Sequence, residues 1–115
     1  MNTGLTNEAL VRNYKESGNE SFLEELIKRN TPLLRMLVEP YLATIPNSEC
    51  EDLIAESYIP MLKAIEDFDE ARGLAFITLL KAYVSVSLRW ILTVSVRIAM
   101  YPEMRISSYG ELDVP

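Results

Sequence analysis

Apolar residues recur along this chain every three or four positions, in blocks separated by Gly, Pro or acidic turns, a pattern that predicts a succession of helices. After a frayed start over residues 1–6, Asn7 is placed to cap a first helix carrying Leu10, Val11 and Tyr14, and Gly18 stops it. Ser21 with Glu24 reads as a capping box opening a second helix, with Phe22, Leu23, Leu26 and Ile27 on its apolar side. Thr31-Pro32 is either a fresh helix start or a kink in a continuing helix. Leu33, Leu34, Leu37, Val38 and Tyr41 prolong the apolar stripe, which Pro40 should bend or end. Pro46-Asn47-Ser48 is a loop, and Ser48 with Glu51 is a second capping box. A third helix therefore starts near Glu49 and runs to Asp67 or Phe68, with Pro60 expected to kink it. Asp69 to Gly73 forms a turn, and a last helix runs from about Leu74 to about Met100, stopped by Pro102. The tail, 101–115, shows no period, so a helical domain over 1–100 is followed by a C-terminal tail.

At about 100° per residue, Leu53, Ser57, Met61, Ala64, Ile65 and Phe68 fall on one side of the third helix and should be core. Asp52, Glu56, Lys63 and Glu66 fall on the other side. Between them, beside Glu56, run Ala55, Ile59 and Leu62, three apolar positions fit for a contact with another helix. Exposed apolar residues are also common where no partner binds. The last helix is apolar on nearly every side, the pattern of a helix buried all round. A domain of four or so helices does not bury such a helix alone, so a partner surface or a homo-oligomer through residues 79–100 is expected. Within it, Leu92 to Ile98 alternates like a strand, and length together with the absence of turn residues favours helix. Lys81, Arg89 and Arg97 cut the segment into uncharged runs of seven, short of the roughly 20 residues of a membrane span. No membrane association is expected.

Composition narrows the chemistry. The 115 residues are 49% hydrophobic, enough for the core of one domain. A single cysteine, Cys50, excludes an internal disulfide, and there is no histidine. No nucleophile–histidine pair, glycine-rich phosphate loop or metal-ligand spacing occurs, so neither catalysis nor a cofactor or metal is expected. Glu51-Asp52 and Asp67-Asp69-Glu70 read as capping or solvated carboxylates. The N-terminus lacks the basic, apolar pattern of a signal peptide, so a reducing, cytoplasmic setting is the expectation. The net charge of −6 disfavours generic nucleic-acid binding, yet residues 74–100 carry Lys81, Arg89 and Arg97 and no acid. Contact with nucleic acid would have to use that segment.

The centre of the chain carries a more specific signal. Asp52-Leu53-Ile54, Glu56, Ile59, Met61-Leu62-Lys63-Ala64-Ile65, Phe68-Asp69, Arg72-Gly73, Phe76 and Thr78 stand in a fixed order and spacing. They resemble conserved region 2 of the sigma-70 family of transcription initiation factors, whose pattern is DL-x-QE-x-x-x-G-L-x-x-A-x-x-x-F-D-x-x-R-G-x-x-F-x-T. Upstream, Ser21-Phe22-Leu23-Glu24-Glu25-Leu26 and Pro32-Leu33-Leu34 resemble the family's first helices. The similarity covers roughly residues 7–95. It implies an all-α, compact orthogonal bundle of four or five helices.

The resemblance also implies a partner: the clamp helices of the RNA polymerase β′ subunit. In the family the contact falls on positions occupied here by Ala55, Glu56, Tyr58 and Leu62, and Asp52 and Ile59 complete the candidate polymerase-binding face. Ala55 stands where the family has glutamine. The family's next helix captures and melts the promoter −10 element. Phe76, Thr78, Lys81, Tyr83 and Arg89 are the corresponding DNA-binding candidates, with Trp90 a further stacking platform. An aromatic of the family is replaced by Leu79, its Trp-Trp-like pair by Ala82-Tyr83, and a base-reading polar residue by Val86; Tyr83 and Trp90 also read as core. Nothing after residue 100 resembles the helix-turn-helix region that reads the −35 element, so full promoter recognition would need a second chain. Three readings follow. The chain is half of a split sigma factor that meets promoter DNA only within the polymerase complex, an accessory protein that occupies polymerase without melting DNA, or a helical interaction module that self-associates through its last helix.

Overall fold

A computed structural model describes residues 4–45 and 48–100, together with the backbone of 105–106 and 112–113. Four helices, α1 (Asn7–Ser17), α2 (Glu20–Leu42), α3 (Cys50–Asp67) and α4 (Phe76–Met100), pack against one another in an all-α bundle. In the tail, Arg105–Ile106 pairs antiparallel with Leu112–Asp113. α3 and α4 form a hairpin with the most extensive interface, and α2 packs on both. Leu10, Leu26, Leu34, Met61, Phe76 and Leu80 are fully buried at its centre.

Local chemistry sets the helix ends, and three caps differ from those expected. Thr6, not Asn7, caps α1, its Oγ1 accepting from the Ala9 amide at 3.1 Å. Asn19 rather than Ser21 caps α2, its Oδ1 accepting from the Ser21 amide at 3.0 Å. Glu49 precedes α3 without a side-chain cap, and the Ser48 hydroxyl bonds the Leu42 carbonyl instead. In α1 and α2 the expected cap lay one or two residues from an equivalent small polar residue, and the choice fell to the residue in extended backbone. Gly73, at φ 76°, ends the short 3-10 turn Glu70–Arg72 in the left-handed region that favours glycine. Pro32 and Pro40 lie inside α2 and Pro60 inside α3, so none of them ends its helix.

The hairpin turn is held from a distance by α1. Glu8, Arg12 and Lys15 recur on one face of α1 and all reach it. The Glu8 carboxylate accepts from the Phe76 amide at 2.8 Å, capping α4. Lys15 donates to the Phe68 carbonyl at 2.7 Å, and Arg12 pairs with Glu70 at 2.9 Å. An anion at a helix N-terminus and a cation at a C-terminus both oppose the local dipole. Glu8→Ala is therefore expected to cost about 1 kcal/mol, the usual worth of an N-cap, read as a lowered urea midpoint.

α4 follows expectation in its course and departs from it at Trp90. It is helical through residues 92–98, which removes the strand reading. It is not buried all round, because α2 and α3 cover one side only. Phe76, Leu80, Val84, Leu88 and Val94 are buried, whereas Val86, Trp90, Val96, Ile98 and Met100 are exposed. Trp90, read above as core, is 43% exposed. By length and composition alone α4 is apolar enough to cross a membrane, with mean hydropathy 1.4 over 18 residues. In the bundle its buried line serves as core.

Candidate functional site

The outer face of α3 is built by a helix whose other side is fully used. Leu53, Ser57, Met61, Ala64, Ile65 and Phe68 are buried, and the Ser57 hydroxyl is satisfied by the Leu53 carbonyl at 2.8 Å. Ile54 and Pro60 join them, widening the buried arc. Asp52, Ala55, Glu56, Ile59 and Leu62 all lie exposed on the opposite arc. Ile59 is 68% exposed and Leu62 47% exposed, the two large apolar side chains that α3 gives to solvent. Lys63 and Glu66 border them. Tyr58, the sixth candidate, is half-buried at the edge of this face, its hydroxyl 3.5 Å from Thr31 of α2. Five of the six candidate positions are thus brought onto one surface, with Tyr58 turned towards α2.

The DNA-binding candidates are not brought together. Phe76 is fully buried, its ring meeting Phe68 edge-on at 5.6 Å and 89°. A side chain with no exposed surface does not contact a nucleic acid, so Phe76 is corrected to a core residue. Thr78, Lys81 and Arg89 are exposed on α4. Tyr83 is half-buried on the flank facing α3, about 160° from Lys81 and about 120° from Arg89 around the helix. Its hydroxyl donates to Asp67 at 2.7 Å. The aromatic and the cations therefore do not line one channel, which stacking capture of a single strand requires.

That Tyr83–Asp67 bond shifts both groups. The Tyr83 hydroxyl, and then Lys63 at 3.5 Å, hold the Asp67 carboxyl below its ordinary range, and the carboxylate raises the Tyr83 phenol. A depressed carboxyl stabilises the fold above its unfolded value and loses that contribution as pH falls through the folded value. A raised phenol contributes below its unfolded value and loses the contribution as pH rises through the folded one. The bond between them lies at the protein surface, so the effect on stability is small. Tyr83→Phe is expected to return the Asp67 carboxyl towards its ordinary range, followed by side-chain NMR titration; an unchanged titration would assign the shift to Lys63 and Lys15 instead.

Two grooves flank the α3–α4 hairpin. One, of about 360 Å³, lies at the turn among Asp67, Phe68, Asp69, Arg72, Leu79 and Tyr83. The other, of about 460 Å³ and almost wholly apolar, runs between the helices and is lined by Pro60, Lys63, Tyr83, Val86, Ser87 and Trp90. Sequence reasoning missed the second groove, because Trp90 was assigned to the core. No cluster able to ligate a metal occurs among the described residues. Comparison with protein-family models, with curated proteins and with solved structures finds no match to this chain.

Proposed function

We propose that this protein docks on the clamp helices of RNA polymerase through the outer face of α3, as a sigma region 2-like transcription factor subunit. The observation that carries the reading is the exposure of Ile59 and Leu62 beside Glu56 on a helix that buries its other large aliphatic side chains, Leu53, Ile54, Met61 and Ile65. An apolar pair flanked by acids suits a helix-on-helix contact whose partner supplies apolar and basic residues. The resemblance of residues 52–78 to sigma region 2 supplies the identity of the partner. Retention of core polymerase by the immobilised protein is expected, with loss on Glu56→Lys and on Leu62→Asp. Absence of retention, or retention indifferent to both substitutions, would refute it.

A second observation bears on what happens after docking. Phe76 is core, Tyr83 is engaged with Asp67, and Lys81 and Arg89 lie on another side of α4. This favours an accessory role, occupying polymerase without melting DNA, over a complete −10 reader. Tight binding of −10-like single strands by the isolated protein, lost on Tyr83→Ala, would reverse that preference.

A further inference from the structure

The apolar groove between α3 and α4 is part of a longer stripe. Tyr83, Val86 and Trp90 line the groove, and the same flank continues through Thr93 and Arg97 to Met100. These positions repeat in alternating steps of three and four, the spacing that keeps one seam of a helix facing another helix. Val86 is 59% exposed and Met100 63% exposed, so the seam has no cover within the bundle.

We propose that the seam is a self-complementary interface, on which two copies of this chain pair their α4 helices antiparallel about a two-fold axis near Trp90. Charge selects this occupant. Tyr83 lies two turns before Trp90 and Arg97 two turns after it on the same flank. A two-fold axis at Trp90 therefore places Arg97 of one copy against Tyr83 of the other. Tyr83 carries Asp67 on its hydroxyl, so each Arg97 meets a carboxylate, twice per dimer. Trp90 of each copy would enter the groove of the other beside Pro60 and Val86. The chain as a whole is at −6, which opposes self-association through most of its surface. α4 itself carries three bases and no acid, so the attraction across the pair rests on Arg97 meeting the Asp67 carboxylate of the other copy.

The interface is centred away from the polymerase-docking face and adjoins it at Lys63, which lines the groove. Leu62 lies about 160° around α3 from Pro60, the buried residue of the groove. The proposal therefore stands or falls independently of the polymerase reading. Sedimentation equilibrium of the full chain tests it. A monomer–dimer equilibrium is expected, weakened about tenfold or more by Trp90→Glu, with Val86→Glu as the second variant should the first perturb folding. Arg97→Asp should weaken the dimer several-fold, and adding Asp67→Arg should restore it. Polymerase retention should survive Trp90→Glu. A wild-type chain that stays monomeric at high concentration would overturn the proposal. So would a charge swap that fails to restore pairing, or binding of the chain to phosphatidylcholine–phosphatidylglycerol vesicles abolished by Val86→Glu.

Discussion

Phe76→Ala is expected to destabilise the protein by about 3–5 kcal/mol, the usual cost of removing a fully buried phenylalanine. Phe76 has no exposed surface and packs edge-to-face on Phe68, a geometry worth about 0.5–1.5 kcal/mol beyond area burial. It is also the first residue of α4, and Phe68 is the last cap of α3, so the pair locks both ends of the hairpin turn. Domains of this size hold only about 5–15 kcal/mol in total, so the loss is a large fraction of stability. Urea denaturation followed by far-UV circular dichroism measures it. Trp90→Ala, on the same helix but 43% exposed, should cost about 1 kcal/mol or less. Equal costs at the two positions would contradict the assignment of Phe76 to the core and Trp90 to the surface.

That contrast marks how far the sequence could be read. The two faces of α3 were legible because eighteen residues with one apolar arc leave a single way to bury it; Leu53, Met61 and Ile65 are inside, Asp52 and Glu66 outside. α4 offered no such arc. With apolar residues on nearly every side, the buried line was fixed by which neighbours existed, and α2 and α3 cover only the side of Leu80, Val84 and Leu88. The clamp of Glu8 and Lys15 on the hairpin turn joins residues 68 and 53 positions apart, and no local signal announces such bonds. The scatter of the DNA-binding candidates was legible. The rule of about 100° per residue that sorted α3 also separates Tyr83 from Lys81 and Arg89. The family motif grouped them by alignment position, not by face.

The largest functional effect is expected at Leu62. Leu62→Asp should weaken binding to core polymerase by about 30-fold to 1,000-fold, the range of a hot-spot loss of about 2–4 kcal/mol. Two terms act together: the apolar contact is lost, and a carboxylate must be desolvated against the partner helix. Ile59→Asp should act in the same direction, since Ile59 is the more exposed of the two and neighbours Glu56. Neither change should move the thermal midpoint much, because both side chains face solvent and surface substitutions usually stay within about 0.5 kcal/mol. Ala55→Gln should have the opposite sign. It restores the side chain that the sigma-70 pattern carries at this position, and one added hydrogen bond of about 0.5–1.5 kcal/mol would tighten binding several-fold. Lys81→Ala and Arg89→Ala, on α4, should leave core-enzyme affinity unchanged. Titration of labelled polymerase with each variant measures all five. A Leu62→Asp protein that binds as wild type, or an Ala55→Gln protein that binds less well, would place the contact on another face of the bundle.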